Sequence, residues 1–313
     1  MVKRRIGSLQ VSVVGLGCNN FGWRLDADAS AQVVHAALAA GVNFFDTADI
    51  YGGTKSEEYL GRALRGRREQ VVLATKFGMK VDEHRHGARP DYLRRAAEDS
   101  LRRLGTDYID LYQLHQPDPE TPIADTLAAL DELVKAGKVR EIGSSNFSAQ
   151  QIREAEAAVR AGAARFASVQ NEYSLLRRDP EAEVLPECRR RGLAFLPYFP
   201  LANGLLTGKY RAGRPVPQGT RISTQERFGK LLNDRNLQIV EALAGFAEAR
   251  GHTLLELAFS WLLAHPEVAS VIAGATSAQQ VAGNSAAATW QLTPEDLSEV
   301  NRILQEPALS EAS

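Results

Sequence analysis

Two hydrophobic spacings alternate along this chain. Short apolar runs that end in polar or aromatic residues are separated by longer segments whose apolar positions recur every three or four residues, the first reading as buried strands and the second as amphipathic helices. From Val2 to Val14 two short alternating runs broken at Gly7-Ser8 predict a hairpin, feeding a strand over Val11 to Leu16 and placed to plug the bottom of a barrel. A helix is predicted over Ala29 to Ala40, capped by Asp28 or Ser30 and closed by Gly41, and the strand of Phe44-Phe45 follows. The pattern then repeats. Helices are expected over Ser56 to Leu64 (Ser56 as N-cap), Asp91 to Leu104 (Gly105 as C-cap), Thr121 to Ala136, Ser148 to Ala161 and Pro180 to Arg191. The intervening strands are Val71 to Ala74, IDLYQL, Val139 to Ile142, Ala167 to Gln170 and Leu193 to Tyr198.

After Tyr198 the period breaks. Leu201 to Lys230 is irregular and rich in Gly, Pro, Arg and Thr, which marks a functional loop, read here as a lid. Helices over Leu237 to Ala249 and Thr253 to Leu263, a strand over Ala269 to Ala273 and a further helix opened by GATSAQQVAGN complete the chain. Parallel strands are implied, because only a crossover returns the chain to start a parallel neighbour. Eight strands counted from Val11 make a (β/α)8 TIM barrel with an N-terminal β-hairpin the first choice of α/β fold, and an open doubly wound sheet the second. Residues 1–313 are expected to form a single domain, with a frayed tail over 305–313.

Composition narrows the classes of partner. Hydrophobic residues make up 44% and the formal net charge is −1, so nothing pulls the protein toward nucleic acid or an anionic membrane. No apolar stretch approaches membrane-spanning length, and the basic start MVKRRIGSLQ lacks a following apolar region, so a cytoplasmic protein is expected. Cys18 and Cys188 are far apart and form no zinc or redox pair. His84 and His86 lie in a Gly/Pro-bounded loop without supporting ligands, and no metal site is assigned. In GLGCNNFG the third glycine of a dinucleotide fingerprint is replaced by Asn20 and no helix opens there, so a Rossmann motif is not indicated.

The chemistry collects at strand exits. Asp46 and Tyr51 follow the second strand, Lys76 the third and His115 the fourth. In a barrel these ends share one mouth. Taken singly, each has a plain structural role: Asp46 as a helix cap, Tyr51 as packing, Lys76 as an ion pair, His115 as a buried imidazole. Together they can lower the cost of ionising a phenol: an ammonium stabilises the phenolate, a carboxylate orients the ammonium, and an imidazole hydrogen-bonds a substrate carbonyl. That combination suits carbonyl reduction. A barrel hydrolase or lyase using Asp46 and His115 would lack a metal set or an evident nucleophile.

These residues carry a family resemblance. VSVVGLGCNNFG, FFDTADIYG, VLATKFG, LYQLHQPD, IGSSNFS, VQNEYS, PYFPLANGLLTGKY and VIAGATSAQQVAGN resemble, in order and over nearly the whole chain, the aldo-keto reductase family. The resemblance implies a (β/α)8 barrel, a nicotinamide cofactor held without a Rossmann fold, a small-molecule carbonyl substrate, and a tetrad of Asp46, Tyr51, Lys76 and His115 with Tyr51 as proton donor. It also implies cofactor contacts at Gly17, Cys18, Asn19 and Asp46. Ser145, Asn146 and Gln170 would hold the nicotinamide carboxamide, and Tyr198 would stack on the ring. Leu201, Gly204 and Lys209 would line the pyrophosphate, Arg221 would reach the adenosine phosphate, and Gly274, Thr276, Gln280 and Asn284 would contact the 2′-phosphate and adenine. The better-known vertebrate reductases have basic residues where Gly274 and Gln280 stand here, whereas relatives resembling potassium-channel β subunits bind NADP with Ser and Gln there. NADP is therefore expected ahead of NAD. The channel-subunit likeness carries an alternative, a redox-sensing or regulatory protein with slow turnover. Substrate choice is expected to reside in the mouth loops, with Phe21 and Trp23 as an apolar wall, and oligomeric state is left open.

Overall fold

The computed structural model describes residues 1–211, 213–224 and 229–305, without the side chains of Arg221 and Thr224. Strands β1 (Lys3–Ile6) and β2 (Leu9–Ser12) form an antiparallel hairpin whose two-residue turn pairs Ile6 with Leu9. Gly7 sits at φ +54°, and a Cβ there would strike the Glu141 carboxylate, so the turn requires glycine. The strand read as Val11 to Leu16 is in fact two pieces. The chain bends at Val13 and the first barrel strand, β3, is Val14–Gly17.

Seven further strands follow: β4 (Phe44–Asp46), β5 (Val72–Phe77), β6 (Ile109–Leu114), β7 (Val139–Ser145), β8 (Phe166–Glu172), β9 (Ala194–Tyr198) and β10 (Val271–Gly274). They pair in parallel in chain order, and β10 closes on β3, giving an eight-stranded barrel wrapped by helices. β5 and β6 are buried along their whole lengths, as strands covered on both faces must be. Inside the barrel, Phe44, Val72, Leu111, Ala194, Leu196 and Ile272 pack with Ile6, Leu9 and Val11 of the hairpin. The hairpin thus plugs the end at which the strands begin. The opposite end is left open for polar groups.

The helices sit in the outer shell where local signals put them, with shifted ends. Asp26, not Asp28 or Ser30, caps helix Ala27–Ala39 by accepting from the Ala29 N–H at 2.9 Å. Ser56 does not cap helix Lys55–Ala63. Thr54 holds that position at φ +79°, and the Ser56 hydroxyl instead donates to the Cys18 carbonyl at 2.9 Å. Ser148 and Thr253 form reciprocal capping boxes with Gln151 and Glu256. Between β9 and helix Asp234–Glu248, the segment read as a lid contains a 3₁₀ stretch, Ala202–Thr207, and a short helix, Arg221–Thr224. A last helix, Pro294–Gln305, packs against Asp234–Glu248, and the expected frayed tail beyond it falls outside the described residues. Among those residues no helix is long and apolar enough to cross a membrane.

Candidate active site at the barrel mouth

All eight strands deliver polar or glycine residues to the open end. Gly17, Asp46, Ser145, Tyr198 and Gly274 are the last residues of their strands, Lys76 is the last but one of β5, and His115 and Asn146 follow β6 and β7 directly. Parallel register brings distant residues level: Gly17 with Asp46, Lys76 with Gln113, and Ser145 with Gln170.

At the floor of the mouth Lys76 is fully buried, with Nζ 2.5 Å from Asp46 Oδ2 and donating to the Thr47 carbonyl at 2.9 Å. A buried ammonium is tolerated only with such partners. Burial alone would lower the lysine pKa, but Asp46 and then Tyr51 outweigh it and the net direction is upward, so Lys76 is charged. The other Asp46 oxygen accepts from Gln113 Nε2 (3.1 Å) and Gln170 Nε2 (3.0 Å). Gln113 was not singled out in the sequence. A glutamine inside the apolar run IDLYQL was the available signal.

Above this pair, Lys76 Nζ lies 5.2 Å from the Tyr51 ring centroid, and Tyr51 meets the His115 ring edge-on with centroids 5.6 Å apart. The structure therefore brings Asp46, Tyr51, Lys76 and His115 together. One expectation is corrected. Lys76 does pull the Tyr51 pKa down, but burial outweighs it and the phenol ends above its ordinary value, firmly protonated at neutral pH. Burial, aided by Lys76, holds His115 well below the usual imidazole range, so it is neutral. Its Nδ1 is buried without a hydrogen-bond partner among the described residues.

On the far wall, Asn146 takes a left-handed conformation (φ +62°) that asparagine accommodates better than most residues. Its amide donates to the His115 carbonyl (2.9 Å) and Ser145 Oγ (3.2 Å), while its Oδ1 accepts from the Tyr198 hydroxyl at 2.8 Å. Ser145 Oγ donates to the Gln170 carbonyl. Gln170 itself is only 2% exposed and its amide nitrogen is committed to Asp46. Tyr198 is half-buried, its phenol pushed up to about 12 by burial and Glu172.

The remaining expected contacts ring the mouth. Cys18 is fully buried, its thiol pushed well up by burial and by Asp46; its neighbour Gly17 is buried too, and Asn19 is half-buried. Phe21 is also fully buried, so it cannot form a wall with Trp23, which is 72% exposed. Leu201 and Gly204 lie where Phe199, Ala202, Asn203 and Gly204 all take positive φ, a conformation costly for the three that are not glycine. Lys209 is exposed, its Nζ 5.3 Å from the Tyr210 ring centroid. The side chain of Arg221 lies outside what is described. Beyond β10, Ser277 caps helix Ala278–Ala286, and Gln280 Oε1 accepts from the Thr276 N–H (2.8 Å) and hydroxyl (3.2 Å). Gly274 is exposed and Asn284 largely buried. Among the described residues no group of three or more His, Cys, Asp or Glu could hold a metal ion.

Comparison with known proteins gives the family and the fold. The model of the "Aldo/keto reductase family" matches residues 13–305. A probable aldo-keto reductase 1 from Glycine max is 35% identical over 312 residues, covering 96% of this chain and 87% of its own. The aldo-keto reductase YhdN of Bacillus subtilis (strain 168) is also 35% identical, with 95% and 91% covered. Among solved structures, the glycerol dehydrogenase AKR11B4 from Gluconobacter oxydans superposes with a TM-score of 0.84 at 33% identity, covering 96% of this chain and 94% of that one. The aldo-keto reductase AKR11C1 from Bacillus halodurans, in its holo form, gives 0.82 at 34%, covering 97% and 96%. A (β/α)8 barrel with oxidoreductase relatives along its length, this chain belongs to the aldo/keto reductase family and is an oxidoreductase.

Proposed function

We propose that this barrel reduces the carbonyl group of a small aldehyde or ketone to an alcohol, using NADPH in preference to NADH, with Tyr51 as proton donor. The observation that carries the reading is the fully buried Lys76, held by Asp46 at 2.5 Å and lying below the Tyr51 ring. A structural ion pair has no need of a half-buried phenol above it and a neutral imidazole edge-on to that phenol at an open mouth.

The donor set at the mouth suits a dinucleotide. Ser145 and Asn146 offer neutral hydrogen-bonding groups beside Tyr198, and Asn203 Oδ1, in the strained loop after β9, is buried without a hydrogen-bond partner among the described residues. A Cβ at Gly274 would meet the Asn20 and Asn19 side-chain amides at 3.3 and 3.5 Å, a close but not forbidden approach at that rim. A nicotinamide bound here supplies the hydride. This chain's residues handle the proton. Tyr51 and neutral His115 donate hydrogen bonds to the carbonyl oxygen, and Tyr51 passes its proton as charge builds there. Lys76 stabilises the phenolate left behind, and Asp46, itself held by Gln113 and Gln170, fixes Lys76.

Supporting a cytoplasmic setting, Cys18 and Cys188 are both free and buried. The test is Tyr51→Phe assayed on a panel of aldehydes and ketones with NADPH and NADH side by side. Turnover should fall by about 10² or more while cofactor affinity stays constant. Near-normal turnover would defeat the assignment.

A further inference from the structure

The loop that carries Tyr51 has a second face. Its backbone is strapped to β5 by the Thr47 N–H on the Ala74 carbonyl (2.9 Å) and the Asp49 N–H on the Lys76 carbonyl (3.0 Å). The Asp49 side chain lines a small cavity between helix Pro90–Leu104, the β5 exit loop at Val81 and Arg85, and Thr54. It is only 3% exposed. Its Oδ2 receives a long bond from the Tyr92 hydroxyl (3.4 Å), and its Oδ1 has no partner among the described residues.

Several groups face this carboxyl, and Arg103, Tyr92 and the Ile50 N–H compensate a charge on it only in part. Helix Lys55–Ala63 contributes Glu57, and helix Pro90–Leu104 contributes Tyr92, Asp99 and Arg103. The β5 exit loop contributes Arg85, and β6 contributes Tyr112, whose own hydroxyl is unpartnered. Arg103 Nε is directed to Glu57 at 2.6 Å and Arg85 Nε to Asp82 at 2.7 Å, while Glu57 takes the Thr75 hydroxyl on its other oxygen. Burial and then Glu57 push the Asp49 pKa up to about 7, which Arg103 and Tyr92 offset only in part. A carboxylate left unpaired in such a place must move or draw in a partner. Tyr51 lies two residues on in the same loop, its N–H bonded to the Ala48 carbonyl at 3.2 Å.

We propose that Asp49 is a positioning residue for Tyr51: while its carboxyl keeps its proton the loop holds the phenol in place, and loss of that proton lets the loop shift. The inference rests on Tyr51 being the proton donor.

The test compares wild type with Asp49→Asn, Asp49→Ala and Tyr92→Phe, following kcat and Tm from acid to alkaline pH. The sign follows from linkage. The folded pKa lies above the unfolded carboxylate value, so the contribution of Asp49 to stability is fully present in acid and is lost as pH rises toward about 7. Wild-type kcat should fall around the same midpoint. Asp49→Asn, which mimics the protonated carboxyl, should lose both dependences and keep the acid-plateau kcat within roughly twofold. Tyr92→Phe removes a group that favours the carboxylate and should move the midpoint upward. Asp49→Ala should lose the Tm dependence while its kcat drops across the whole range. An Asp49→Asn profile that keeps the wild-type midpoint would overturn the proposal, as would a loss of kcat at every pH in that variant. Phenolate absorbance assigned to Tyr51 by subtracting Tyr51→Phe gives a readout independent of turnover. Its titration should shift in Asp49→Asn, and an unshifted one overturns the proposal. A wild type that turns over no carbonyl but shows that shift and the Asp49-dependent Tm overturns the assigned reaction instead.

Discussion

Lys76 shows how one residue couples stability to chemistry. Replacing it with methionine keeps much of the volume but removes the charge facing Asp46 Oδ2, leaving the carboxylate with two glutamine amides for compensation. Breaking a buried pair by removing one partner costs about 3–5 kcal/mol. Thermal unfolding of Lys76→Met should register that loss, and its kcat should fall about 10² or more because the phenolate is unsupported. A variant that is destabilised yet fully active would make Lys76 a structural residue only. Asp46, Tyr51, Lys76 and His115 were legible in the sequence because each stands at a strand exit, where barrel geometry forces convergence. Gln113 and Asp49 were not. One lies inside an apolar strand and the other turns away from the mouth, and neither direction can be read without the register of neighbouring strands.

Among the elements, the alternation of strand and helix was legible because burial on both faces of a parallel strand leaves a run that amphipathic helices do not share. Boundaries were harder. β5, expected over Val71 to Ala74 and ending in Thr75-Lys76, runs from Val72 to Phe77, because a closed barrel lets polar side chains point into its mouth from within a strand. Helix Pro294–Gln305 was overlooked. Its packing partner, helix Asp234–Glu248, lies far back in the chain. Gly61 illustrates the same dependence on distant contacts. In an isolated helix, alanine there would gain about 1 kcal/mol over glycine. Here a Cβ would sit 2.3 Å from the Leu104 carbonyl oxygen, which is backbone and cannot rotate away. Gly61→Ala should therefore destabilise the protein by about 1–3 kcal/mol despite the better helix former. A rise in Tm would show that the two helices separate at little cost.

For the whole molecule, closure of the barrel gathers candidate cofactor groups from β3, β7, β9, the strained loop after β9 and the helix after β10 into one ring. A ligand bound across that ring stabilises the folded chain as a unit, by about 2.7 kcal/mol at a hundred times its Kd. At this chain length that corresponds to roughly 1.5 °C of Tm per kcal/mol. The Tm increments with NADPH and NADH at equal concentration therefore report cofactor preference without a substrate. In the wild type the preference should be modest and weakened by salt. The helix over Ala278–Ala286 has no cation in its first turn, and Gln280 Oε1 already occupies the Thr276 N–H that a 2′-phosphate would use. Gln280→Arg releases that donor and adds a planar guanidinium able to grip a phosphate with two hydrogen bonds. The NADPH increment should then exceed that of NADH by about 1–2 kcal/mol more than in the wild type, the usual worth of a charge-assisted hydrogen bond. If the two increments keep their wild-type difference, or reverse it, the 2′-phosphate is held elsewhere on the ring and the assignment of Gly274, Thr276 and Gln280 to it fails.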